Sequence, residues 1–112
     1  MSQQHHRGTA DFIALRASAV IMLPLVVWLL WNIVAHAGAD YETARAWAGR
    51  PHNAVAMALF IVIGAFHMRI GAGEIVTDYL HDGSAGVVRV LNSLVCLIVA
   101  GCAVAAAASL AF

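Results

Sequence analysis

The chain has no lysine and very little charge of either sign. Six arginines stand against six acidic residues among 112, and charged residues make up 11% of the total. Formal net charge is zero, so there is no basic surface to point to nucleic acid. So small a polar inventory also argues against a self-sufficient hydrolytic enzyme. Only two prolines and two cysteines occur. Cys96 and Cys102 lie in an alanine-rich apolar run. On a helix their directions differ by roughly 120°, which suits neither a bridge nor a metal pair. They read as small buried hydrophobes. The chain is 62% hydrophobic with a mean hydropathy of +0.85, and such a composition cannot supply the surface a soluble domain of this size needs.

What is present is three long apolar runs. A bilayer core takes about 20 mostly apolar residues per helix. The first run, residues 17–36, is uncharged and contains Pro24 as a candidate kink. The second, 54–75, follows Pro51, whose missing N–H suits a helix start. The third, 87–112, has Arg89 near its beginning. Between the last two, His81-Asp-Gly-Ser-Ala-Gly86 reads as a turn. The predicted fold class is all-α, an integral membrane three-helix bundle forming one domain over 1–112. Ala35-His-Ala37 looks like a signal-peptidase site, but the apolar run before it exceeds the usual h-region of about 7–15 residues. The first run is therefore expected to remain a membrane helix. Arg7 and Arg16 precede the first span, Arg69 and Arg89 flank the second loop, and Arg45 and Arg50 lie in the first loop. With no basic residue at the C-terminus, this distribution predicts an N-terminus on the inner side. Trp47 is expected at the interface, in a short amphipathic stretch before Pro51.

His67 is the most informative residue. An ionisable group inside a membrane-length segment is costly and marks a functional site by default. On a helix advancing about 100° per residue, Phe60, Gly64, His67, Gly71, Glu74 and Asp78 fall within roughly 60° of His67. Counted from Ala54, His67 lies roughly 20 Å from the outer end, in the inner half of the bilayer. An imidazole flanked by Gly64 and Gly71 suits a flat ligand held by a metal–imidazole bond. The same residues suit a hydrogen-bonded packing histidine with glycines that let helices approach. Ala65 points roughly 160° away, so a leucine there is expected to disturb less than one at Gly71. No other histidine shares this depth: His36 and His52 sit at outer span ends, His5 and His6 in the N-terminal tail, and His81 in the inner loop. A second axial histidine would come from another chain.

Asp78 and Tyr79 stand where the second span leaves the membrane. They read either as a solvated charge and an interfacial anchor, or as part of a polar pocket in which the phenol donates to a ligand carbonyl. Arg16 reads as a snorkelling charge or as a guanidinium for a carboxylate at that depth. Arg69 and Glu74 read as helix-end charges reaching for the interface.

Together these residues resemble the small hydrophobic membrane-anchor subunit of bacterial succinate dehydrogenase (succinate:quinone oxidoreductase, respiratory complex II). Asp11-Phe12-x-x-x-Arg16-Ala17-Ser18 is similar to that family's entry into its first helix, His67-x-x-x-Gly71 to its second helix, and Thr77-Asp78-Tyr79 to the exit from it. The resemblance implies a membrane-anchor domain in the bacterial inner (cytoplasmic) membrane. Its partners would be a second anchor cytochrome b subunit, an iron–sulfur subunit, a flavoprotein subunit and the lipid bilayer. It implies a haem b shared between the two anchors, with His67 as this chain's axial iron ligand and Arg16 near the propionates; on the stripe reading above, Gly64 and Gly71 would then pack against the haem face. It also implies ubiquinone as substrate, at Tyr79 and Asp78. The chain departs from some relatives at Ala10, where they carry a histidine, and at Glu74, where they carry a neutral amide.

Two rivals remain at this level. One is the anchor of a related fumarate reductase. The other, of a different class, is a small oligomeric proton-coupled transporter using Glu74 or His67. Small multidrug exporters have a similar length, but four spans and a carboxylate deep in the first, which this chain lacks.

Overall fold

The computed structural model describes residues Ser2–Phe112, with side chains from Gly8 onward. His5, His6 and Arg7, read above as tail residues, therefore lie outside the described side chains. Four helices follow one another: α1 (Ser2–Ala35), α2 (Tyr41–Ala48), α3 (Pro51–Tyr79) and α4 (Ser84–Ala111). Three stretches, Gly8–Ala35, Pro51–Tyr79 and Ser84–Ala111, are long and apolar enough to cross a membrane. The chain is an all-α, multi-pass membrane protein.

Local signals set most helix ends. Pro51 occupies the first turn of α3, where no N–H is missed. Asp40 caps α2 by accepting from the Thr43 amide at 2.8 Å. Gly38 takes φ +82°, the left-handed conformation that lets the chain turn from α1 into α2. α4 starts at Ser84, earlier than the expected residue 87. The cause is Asp82, which accepts from both the amide and the hydroxyl of Ser84 and so turns the loop into a helix entry. α1 is one helix through Pro24.

The transmembrane helices form a layer with α3 in the middle. α3 packs on both α1 and α4, which do not pack on each other among the described residues. Both neighbours run antiparallel to α3. Gly64 faces Met22, His67 meets Ser18 and Gly71 faces Leu15 on α1. Arg69 meets Ser93 and Thr77 meets Arg89 on α4. The buried residues are mostly small: Ser18, Asn53, Ala54, Ala65, Ala85 and Cys96, with Val76 the largest apolar one. Large apolar side chains such as Leu23, Ile75 and Leu97 face outward. Lipid is as apolar as leucine, so burial of bulk between helices has no hydrophobic drive there. Close approach through small residues provides the contact instead. Two expectations change accordingly. Cys96 is buried but Cys102 is exposed. Ala65 is 4% exposed, so it belongs to a packed interface rather than to a free face.

Candidate functional site

The His67 stripe is the seam between α3 and α1. A Cβ on Gly64 would stand 3.5 Å from the Met22 methyl, and one on Gly71 would stand 3.9 Å from a Leu15 methyl. Both are ordinary van der Waals distances, so a methyl group would fit at either glycine. The two glycines lie against α1, and their expected place on a haem face is neither supported nor opposed by that contact.

His67 lies between the two glycines, half-buried. Its Nδ1 is 2.9 Å from the Oγ of Ser18, which is 5% exposed. That hydroxyl is also 2.9 Å from the Leu15 carbonyl one turn back along α1. Nε2 has no hydrogen-bond partner among the described residues. Nor do three His, Cys, Asp or Glu side chains gather anywhere among them. His67 is thus a single imidazole donor, oriented through one nitrogen and open at the other. Sequence reasoning missed Ser18 as its partner. The signal lay in the quoted Arg16-Ala17-Ser18 triplet, but pairing it with His67 needs the α1–α3 register.

Arg16 is not drawn into this group. It lies two residues from Ser18, so it leaves α1 on roughly the opposite side. Its guanidinium carbon sits 4.6 Å from the centre of the Phe12 ring, a cation–π contact. Its depth along α1 is only about 3 Å from that of Ser18. Asp78 continues the His67 stripe roughly 16 Å further along α3 and is exposed. Tyr79 is the last residue of α3 and is 78% exposed. The ring therefore stands at the helix end, available to a molecule or subunit at the membrane surface.

A trough runs beside Tyr79's end of the helices. α1 and α4 form its walls and α3 its floor, and it encloses about 490 Å³. Asp11, Arg69, Glu74, Thr77 and Arg89 line it. Arg69 does not reach for the interface as expected. Its Nε donates to Ser93 at 3.2 Å, and its backbone carbonyl accepts from Asn92 at 2.9 Å. Arg89 donates to the Thr77 hydroxyl at 2.6 Å. These polar links tie α3 to α4 where the helices approach the surface.

The opposite end holds a second polar cluster, built around α2. Trp47 stacks on Trp28 with ring centres 5.8 Å apart, and His36 lies 5.4 Å from the same indole. The Trp47 N–H donates to Asn32 on α1 at 3.0 Å. Asn53, at the start of α3 and 3% exposed, donates to the Trp47 carbonyl at 2.8 Å. The expected interfacial stretch is thus a helix clamped to both of its neighbours. Outside the spans, Asp40 and Asp82 have carboxyls held below their ordinary range, mainly by side-chain hydrogen bonds from Thr43 and Ser84 respectively.

A family model described as "Succinate dehydrogenase/Fumarate reductase transmembrane subunit" matches residues 2–109. The chain is similar to the succinate dehydrogenase hydrophobic membrane anchor subunit of Paracoccus denitrificans, 30% identical over 79 residues, which is 70% of this chain and 61% of that one. It is also similar to the subunit of the same name from Rickettsia conorii (strain ATCC VR-613 / Malish 7), 24% identical over 74 residues, 65% of this chain and 59% of that one. The chain thus spans about three fifths of the length of the relatives it matches. No solved structure matches. A transmembrane-helix layer, an oriented imidazole within it and a family match over nearly the whole length agree, and the chain belongs to the succinate dehydrogenase/fumarate reductase transmembrane-subunit family.

Proposed function

We propose that this chain anchors a succinate dehydrogenase in the bacterial inner membrane, its N-terminus on the cytoplasmic side. It would share a haem b with a second anchor subunit and form part of a ubiquinone-reducing site. The flavoprotein and iron–sulfur subunits would be its remaining partners. The observation that carries the haem assignment is His67: half-buried within a candidate membrane span, held through Nδ1, with no hydrogen-bond partner for Nε2 among the described residues. A ring nitrogen fixed in orientation and free of hydrogen bonds is the donor an axial ligand requires. The residues present therefore fit the group. When bound, a b-type haem supplies a one-electron redox centre between the iron–sulfur chain and the quinone.

The chain's own residues do the remaining work. Ser18 and Leu15 hold the imidazole against α1, and Gly64 and Gly71 flank it on the same seam. Arg16, at nearly the depth of Ser18 and exposed, supplies a positive charge for a propionate after leaving Phe12. Tyr79 at the inner end of α3 donates its phenol proton to a quinone carbonyl, and Asp78 keeps that mouth polar. Negative charge builds on the quinone oxygens as it is reduced, so a fixed donor there favours the reduced form. Family membership supports this reading over a proton-coupled transporter. The same residues would serve an anchor working in the fumarate-reducing direction, because that direction is set by potentials across the whole complex.

The test is the visible spectrum of the assembled complex carrying His67→Ala. Loss or alteration of the low-spin b-type bands supports the assignment, and an unchanged spectrum refutes it.

A further inference from the structure

We infer that Ser18 is the positioning residue for His67: its oxygen accepts a hydrogen bond from the Nδ1–H and thereby presents Nε2 as the ligating nitrogen. The inference rests on the haem reading above and adds which way the Ser18–His67 hydrogen bond runs, and so which ring nitrogen is left to ligate. Ser18 Oγ is 2.9 Å from two groups, the Leu15 carbonyl on its own helix and His67 Nδ1 on α3. A hydroxyl has one proton and two lone pairs. The Leu15 carbonyl can only accept, so the hydroxyl proton goes there, the usual i−3 or i−4 bond of a serine inside a helix. A lone pair is then left facing His67. Nδ1 must carry the hydrogen for that 2.9 Å contact to be a bond. Neutral imidazole has a single N–H, and placing it on Nδ1 leaves Nε2 with its lone pair bare.

The opposite arrangement would give the hydroxyl proton to Nδ1. The Nε2–H would then have no acceptor among the described residues, and the ring could not ligate through Nε2. The relay from His67 through Ser18 to the Leu15 carbonyl has three further consequences. It fixes the tautomer, it fixes the ring's rotation, and it adds electron density to the ligating nitrogen, which favours ferric over ferrous iron. The relay spans two helices, so the packing of α1 on α3 enters directly into the redox chemistry.

The test compares Ser18→Ala, Ser18→Thr and His67→Ala in the assembled complex, measuring haem content, the low-spin ferric electron paramagnetic resonance signal and the haem midpoint potential. Threonine keeps the hydroxyl and makes the same backbone bond in helices. Alanine removes only the oxygen and suits a helix better. Ser18→Ala is expected to weaken haem retention about 10-fold or more, the size of loss usual when a ligand's hydrogen-bond partner is removed. The haem that remains should have a shifted resonance signal and a raised potential, and Ser18→Thr should restore all three readouts. If His67→Ala loses the low-spin signal while Ser18→Ala retains wild-type haem content, signal and potential, the ligand assignment stands and the positioning claim is wrong. Equal haem loss in both serine variants would make Ser18 a packing residue and also overturn it. If His67→Ala keeps the wild-type signal, the ligand assignment and the relay fall together.

Discussion

The indole N–H of Trp47 donates to the side-chain oxygen of Asn32 at 3.0 Å, joining the interfacial helix α2 to the first membrane span. Asn32 in turn donates to the Trp28 carbonyl at 2.8 Å, and Trp28 stacks on Trp47, so the contact closes on itself. With Asn53 holding the Trp47 carbonyl from α3, the ends of α1 and α3 that meet α2 are fixed relative to each other.

Asn53→Ala should therefore loosen that end of the protein. It removes one donor from the Trp47 carbonyl, which still accepts from the Arg50 amide at 3.3 Å, so the cost is that of a single hydrogen bond, about 0.5–1.5 kcal/mol. Faster amide hydrogen exchange across Tyr41–Ala48 is the expected result, with exchange in the middle of α4 unchanged. Trp47→Phe should do the same more weakly, since it keeps an aromatic ring against Trp28 and loses only the N–H. Unchanged exchange in α2 in both variants would show that the cluster does not hold the helix.

Gly71 and Gly73 separate a packing role from a general intolerance of glycine replacement. A Cβ at Gly71 has room before Leu15, and one at Gly73 meets nothing within 4 Å. Gly71→Ala should thus be tolerated, and alanine's helix preference would favour it by about 0.5–1 kcal/mol. Gly71→Leu must push α1 away, an overpacking cost of about 1–3 kcal/mol, and should lower haem content and complex yield by separating Ser18 from His67. Gly73→Leu should have a smaller effect on both. Leucine at Ala65 is not a tolerated substitution for comparison, because Ala65 is itself buried. Equal losses at 71 and 73 would remove the α1 seam as the cause.

Tyr79→Phe keeps the exposed ring and deletes its donor. Quinone reduction should fall, while succinate oxidation measured with a soluble dye acceptor should stay at the wild-type level, as the proposed placement of the flavin site in another subunit requires. Both activities are to be measured on the same haem-containing complex. Wild-type quinone reduction, or a parallel fall in both, would make Tyr79 an anchor or assembly residue.

The cap of α2 should be acid-labile. Asp40 has its carboxyl held below its ordinary value, chiefly by the side-chain hydrogen bond with Thr43 and then by the Thr43 amide. A carboxyl lowered in the folded state stabilises that state fully above the unfolded value, and the contribution disappears as pH falls through the lowered folded value. Protection of the first-turn amides of α2 should therefore decline on acidification below the usual carboxylate range. Asp40→Asn retains a capping oxygen without a titrating proton and should flatten that dependence. The same decline in Asp40→Asn would assign the effect elsewhere.

The sequence by itself determined that this is a three-span, all-α membrane protein, because lipid admits only segments whose backbone is satisfied internally and whose side chains are apolar. It also determined which residue to suspect, since one imidazole among apolar neighbours at membrane depth is legible without any contact. Pro51 as a helix start and the short amphipathic segment carrying Trp47 were legible for the same local reasons. What each face of α3 touches was not. The stripe of Gly64, His67 and Gly71 reads equally well as a ligand face or a packing face, because helical periodicity gives direction but not neighbour. Only the tertiary structure placed α1 on that stripe, buried Ala65 on the other side, bound Arg69 to Ser93 and set Ser18 beside Nδ1. Those pairings depend on the antiparallel register of helices far apart in sequence, and register between membrane helices is decided by the fit of small side chains against each other.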